Sequence, residues 1–213
     1  MTTNLPVALV FAPEMKTHMI EANKYLFESL TKHGELAKNE WAYFKKQLSK
    51  RNFYKDEYLV HSGDNPGAFH YITKGLVKLS YPNKLGRIVI KNFAREGEMT
   101  GPLLAWLNNE ESPIDIQAIE QTETLSFPSL LVAKLIGRNP VWESIVRGYV
   151  EELAKKTEYR ALLFLENSPE ERYITFTSEE PELCKRLALN QIADYLGITD
   201  VSLSRIRRRI NNR

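Results

Sequence analysis

A single cysteine, Cys184, among 213 residues excludes an intramolecular disulfide and leaves too few thiolates for an iron–sulfur or cysteine-rich metal site, which needs about four. His18, His33, His61 and His70 show no ligand spacing, so neither a metal nor a cofactor is expected. The chain also lacks a glycine-rich phosphate loop, a nucleophile elbow and a paired-histidine motif, so no enzyme chemistry is expected. No apolar run approaches membrane-spanning length, and no membrane partner is expected. Residues 5–13, a short apolar run with no preceding Lys or Arg, read poorly as an export signal, which makes the cytoplasm the expected compartment.

An excess of one charge is missing too. The formal net charge is +2, so the whole protein is not a polycation. Residues 187–213 nevertheless hold five arginines against Asp194 and Asp200, a local net of +3. Charge concentrated in this way marks a surface meant for an anionic partner. The length suits two units, each with a core of its own.

The same 27 residues carry a second pattern. Ile192 and Leu196 recur four apart, and Leu203, Ile206 and Ile210 three and four apart, which predicts two short helices, each with one buried stripe. Ala193 is small where two helices must approach closely. Gly197 suits a positive-φ turn between them, Ile198 plugs the gap, and Thr199 is a good N-cap for a helix beginning at Asp200. The spacing is that of a helix-turn-helix. An amphipathic helical hairpin with a solvated basic face is the plainer alternative, and the joint spacing of seven positions favours the DNA-reading form.

Upstream, residues 57–127 contain short β-prone runs punctuated by Gly, Pro and Asn: EYLVHSGD, FHYITKGLVKLSYP, RIVIKNF and DIQAIEQTETLSF. Tyr71, Thr73, Val77, Leu79 and Tyr81 keep a period of two, with Gly75 placed for a bend or bulge. An antiparallel roll or barrel is expected. Residues 140–166 read as one long helix, with Trp142, Ile145, Val146, Tyr149, Val150 and Leu153 on a stripe that Leu162, Leu163 and Leu165 resume. At 1.5 Å per residue such a helix extends about 40 Å, longer than a small roll can cover, so part of it needs a second partner. A further helix is expected over about 15–32, with Met19, Ala22, Leu26 and Leu30 on one side, as a packing extension or a partner-binding arm.

The C-terminal stretch resembles the DNA-binding domain of the Crp/Fnr superfamily of bacterial transcription regulators. The spacing His61, Gly63, Asp64, Phe69, Tyr71, Ile72, Gly75, Val77, then Gly86, Gly97 and Gly101, resembles the cyclic-nucleotide-binding β-roll of the same superfamily, in the family's order. The resemblance covers roughly residues 36–213. It implies an α+β chain with an extension over 1–35, a β-roll over 36–139, a dimerisation helix over 140–167 and a winged-helix-like DNA-binding unit over 168–213 without a C-terminal wing. The partners implied are double-stranded DNA, a second copy of the chain and RNA polymerase. Base edges would be read by Asp200, Val201, Ser202, Ser204 and Arg205, while Thr199, Arg207, Arg208, Arg209 and Arg213 meet phosphate.

Departures from the family are equally specific. Its nucleotide-binding members present a ribose-contacting glutamate and a phosphate-pairing arginine. This chain has Pro102 after Gly101, then Leu103, and Glu110, Glu111 and Ser112 where the arginine should fall. Carboxylates there reverse the local sign, so cyclic AMP is not the expected effector and none is assigned. Lys78, Lys84 or Arg87 could supply a cation from elsewhere in the roll. The roll then reads as a scaffold that has lost or changed its ligand, or one that never had any. A small-molecule receptor and a protein–protein adaptor stay open as alternatives to the regulator.

Overall fold

The computed structural model describes residues 13–82 and 88–212; Lys84, Arg87 and Arg213, and the side chains of Met19 and Ile88, lie outside the described residues. Among the described residues, eight strands form two four-stranded antiparallel sheets. One has the order β1 (Ser49–Phe53), β8 (Thr122–Pro128), β3 (Ala68–Lys74), β6 (Met99–Thr100). The other has β2 (Tyr58–Val60), β7 (Asp115–Ala118), β4 (Leu76–Pro82), β5 (Ile88–Arg95). Two-residue periodicity sorts the side chains. Val60, Ile72, Val77, Ala94, Ile114 and Ile116 fill the space between the sheets, while Phe69, Tyr71, Leu125 and Phe127 join a helical cluster on the outer face of the first sheet. The expected α+β roll is thus present. Gly75 joins β3 to β4 with φ +100°, and a Cβ there would lie 2.5 Å from Thr122 Oγ1, so the bend requires glycine on both counts.

The helical cluster makes the N-terminal helix α1 (Pro13–Thr31) part of the main core. Leu26 and Leu30 from α1 are buried with Phe44 of α2 (Lys38–Lys45), with Leu131, Val132 and Leu135 of α4 (Ser129–Arg138), and with Trp142 and Ile145 of α5 (Pro140–Glu166). Gly148 lets the turn after α1 approach α5, since a Cβ would meet the His33 ring at 2.3 Å. Glu40 of α2 is a buried carboxylate that accepts from Trp142 Nε1 at 3.0 Å and Arg138 Nε at 3.1 Å. These two donors, Trp142 first, hold its pKa below the usual carboxylate range.

His70 gives the roll a pH dependence. It is 4 % exposed, its Nδ1 lies 3.2 Å from Thr124 Oγ1, and burial, aided by Arg51, pushes its pKa down to about 4. The unfolded chain takes up this proton near pH 6.5, the folded one only near 4, so protonation favours unfolding. The stabilisation is complete above about pH 6.5 and falls by up to about 3 kcal/mol as pH drops to 4. The urea midpoint should fall further between pH 7 and pH 4.5 for the wild type than for His70→Gln; equal falls would remove this assignment.

The long helix α5 has the expected bounds, with Asn139 Oδ1 accepting from Val141 N at its start. Its first half lies on the roll, where the Tyr149 hydroxyl donates to the Met99 carbonyl at 3.0 Å. Beyond it follow α6 (Pro169–Glu179), α7 (Pro181–Arg186), α8 (Leu189–Leu196) and α9 (Asp200–Asn211). These four helices do not stand clear of the roll. Phe176, Leu183, Leu187, Ile192, Ala193, Leu196 and Leu203 share one buried cluster with Leu76, Ile90 and Phe93 of the second sheet and with Ile119, just after β7.

Candidate nucleic-acid interface and sensor cleft

α8 and α9 owe their mutual placement to the residues between them. Gly197 sits in the left-handed region at φ +67°, and Ile198 N–H donates to the Ala193 carbonyl at 3.0 Å, closing the end of α8 as a Schellman turn. Thr199 then caps α9, its Oγ1 accepting from Ser202 N at 3.2 Å. Ile192, Ala193, Leu196, Leu203 and Ile206 are buried, so both stripes face inward.

The outward side of α9 follows from the same period. Asp200, Val201, Ser204, Arg205 and Arg208 are exposed and recur one turn apart on one face; Val201 is 61 % exposed, which no core function explains. The other sequence-predicted residues lie less uniformly. Ser202 is half-buried, its hydroxyl 2.9 Å from that of Thr199, and both therefore serve the cap. Arg207 is half-buried, and Arg209 is held by Glu170 Oε2 at 2.6 Å. Asp200, in the first turn of α9, also complements the helix dipole.

The effector cassette divides in two. Gly101, Pro102 and Leu103 lie on the wall of a cleft of about 850 Å³ bounded by β4, β5, α3 (Leu103–Asn108), α5 and α6. Gly101 is needed there because a Cβ would meet the Phe69 ring at 2.4 Å, and Pro102, buried, caps α3. Glu110 and Glu111 are exposed on the following loop and do not line the cleft. Ser112 is buried away from it, its hydroxyl donating to the Ile114 carbonyl at 2.8 Å, so it stabilises the loop.

The α5 stripe also divides. Trp142 and Ile145 are buried within their own chain, Val146 packs against the same cluster, and Tyr149, Val150 and Leu153 line the cleft. Trp142, Ile145 and Val146 thus pack on the roll's cluster, whereas Val150 and Leu153 are half-buried on the cleft wall. The exposed large apolar residues of α5 lie further on: Tyr159 and Phe164 toward the cleft, and Leu162 (46 %) and Leu165 (85 %) outside it.

Sequence reasoning missed the residues that join the two halves. Arg160 of α5 donates to the carbonyls of Lys91, Ile90 (3.0 Å) and Tyr195 (2.7 Å), and its Cζ lies 4.1 Å from the centre of the Tyr195 ring. Arg186 of α7 pairs with Glu96 at 2.9 Å and Glu120 at 2.7 Å, which raises its pKa, and Arg95 pairs with Glu180 at 2.9 Å. A cation breaking the apolar stripe of α5 is the one signal that could have singled out Arg160.

Residues 50–139 match the cyclic nucleotide-binding domain family. No curated protein matches the chain in sequence. Among solved structures, the fold is similar to that of a putative Crp/Fnr-family transcriptional regulator from Eubacterium rectale, at TM-score 0.70 and 13 % identity, over 83 % of this chain and 84 % of that one. It is similar also to FixK2 from Bradyrhizobium japonicum, at 0.68 and 18 %, over 78 % and 85 %. The c-di-GMP-responsive global regulator CLP of Xanthomonas campestris is a third, at 0.65 and 16 %, over 79 % and 89 %. Residues 50–139 are therefore similar to the cyclic nucleotide-binding domain, and the chain shares its fold with solved Crp/Fnr-type regulators.

Proposed function

We propose that the protein is a sequence-specific DNA-binding transcription regulator that reads an inverted repeat as a homodimer. The observation that carries this is the exposed face of α9, where Val201, Ser204 and Arg205 project beside uncommitted cations while Leu203 and Ile206 anchor the helix from behind. A helix so mounted fits the major groove with its N-terminal residues toward base edges. Arg205 suits the O6 and N7 acceptors of guanine, and Arg207 and Arg208 suit phosphate. Arg209 joins them only by giving up Glu170. The exposed distal face of α5, with Leu162 and Leu165, supports seating the second copy there, and the two-fold axis of such a dimer sets two recognition helices on one side of the duplex. RNA polymerase is the further partner that this reading implies.

Arg205→Ala should cost ~1–3 kcal/mol per subunit on the operator and relax preference at one base pair, whereas Arg208→Ala should weaken operator and scrambled DNA alike. Fluorescence anisotropy titrations on both DNAs read the difference. Equal loss of discrimination in the two variants would contradict the assignment of Arg205 as a base reader.

A further inference from the structure

The cleft beside α5 is lined by three cations that no carboxylate neutralises among the described residues. Lys91 of β5, Arg160 of α5 and Arg172 of α6 all line it, and among the described residues none has a carboxylate within 4.0 Å. The acids that line it have partners: Glu98 faces Lys156 at 2.9 Å, Glu180 Arg95 at 2.9 Å, Glu152 the His33 ring at 3.5 Å, and Glu179 accepts from the Tyr159 hydroxyl at 2.6 Å. Arg160 and Arg172 both approach the Phe164 ring, at 5.2 and 4.6 Å from its centre, so one aromatic side chain anchors two cations of like charge on the cleft wall. Arg172 Nη1 donates to the Asn167 carbonyl at 2.9 Å, while its Nε is buried without a hydrogen-bond partner among the described residues.

Buried polar atoms are rarely left unpaired, and partly buried cations without counter-ions are costlier still. A guest that supplies acceptors relieves both. The remaining wall is apolar, with Leu79, Phe93, Leu103, Leu107 and Leu153 among its side chains, and the volume lies in the range of small-molecule sites. We propose that this cleft binds an anionic amphiphile, a compact oxyanion on an apolar body, with the oxyanion between Lys91, Arg160 and Arg172 and the body against the leucines. This places the anion beside the α5–α6 junction, away from the helix α3 turn to which the family's cyclic phosphate would bind.

The site also has an output. Arg160 holds the Tyr195 carbonyl and stacks on its ring, so an anion recruiting this guanidinium competes with the contact that ties α8 to β5. Binding would then alter how the helix-turn-helix rests on the roll, a consequence that rests on the DNA-binding reading, whereas the site itself does not.

Calorimetric titration of the full chain with octanoate, octyl phosphate, 1-octanol and cyclic AMP tests the proposal. One of the two anions should saturate one site per chain about tenfold or more tightly than octanol, and the one that does identifies the oxyanion as carboxylate or phosphate. Lys91→Met combined with Arg172→Leu should weaken that binding about tenfold or more, with thermal unfolding still cooperative. Octanol binding as tightly as both anions, no saturable anion binding, undiminished binding to the folded variant, or preference for cyclic AMP would each overturn it. Should the variant fail to fold, the comparison of anions with octanol on the wild type decides. Operator titrations with and without the bound anion keep the two readings apart: no specific DNA binding in either condition counts against the regulator, and a silent calorimeter counts against the site.

Discussion

Phe44→Ala is expected to lower the stability of the folded chain by ~3–5 kcal/mol, measured as the shift in urea unfolding. Phe44 is 1 % exposed and has ring neighbours on three elements: Phe127 at 5.0 Å on β8, Trp142 at 5.1 Å on α5 and Trp41 at 6.0 Å on α2 itself. Truncation removes the transfer free energy of the ring and leaves a hole whose walls, held by a sheet and a 27-residue helix, cannot collapse. The loss should appear as a shift of one cooperative transition, because α1, α2, the first sheet and α5 share this cluster. A cost under about 1 kcal/mol, below the usual range for a buried aromatic, would mean that α2 is a peripheral addition.

The second large effect is local to the turn between α8 and α9. Gly197→Val places a β-branched residue at φ +67°, and its Cβ falls 2.9 Å from Phe164 Cε1. The backbone strain alone is worth ~1–3 kcal/mol and the crowding adds ~1–3 kcal/mol more. The chain avoids both by opening the turn, which moves α9 off the Ile192–Leu203 packing that aims it. DNA affinity should fall by about tenfold to a thousandfold, while far-ultraviolet circular dichroism of the roll changes little. Adding Phe164→Ala should return only the part due to crowding. Unchanged DNA affinity in Gly197→Val would show that the turn does not set the position of α9.

The contrast between what periodicity predicts and what the chain builds has a physical origin. The α5 helix was legible to its ends because Asn139 and Pro140 start it and an uninterrupted run of helix formers sustains it. The turn at Gly197 and the cap at Thr199 were legible because each demands a particular residue type. Strand β1, SKRNF, was not: four of its five residues are exposed, so it carries no alternation, and only its pairing with β8 makes it a strand. The same limit applies to the site. A stripe such as Trp142, Ile145 and Tyr149 announces burial but not what buries it, and here the roll does, leaving Leu162 and Leu165 for another partner. Ser112 resembled a pocket residue by position alone, whereas its hydroxyl is committed to Ile114. Arg160, Arg172 and Lys91 come from segments up to 81 positions apart and meet only in three dimensions, so no local pattern could have gathered them.

Selection of bound fragments from random DNA by the full-length protein, with the mass of the complex measured by sedimentation, tests the central reading most directly. The enriched fragments should contain an inverted repeat with half-sites centred one helical turn apart, roughly 34–36 Å, occupied by two copies of the chain. Recovery of DNA without dyad symmetry, or occupancy by a single chain with no sequence preference, would contradict it.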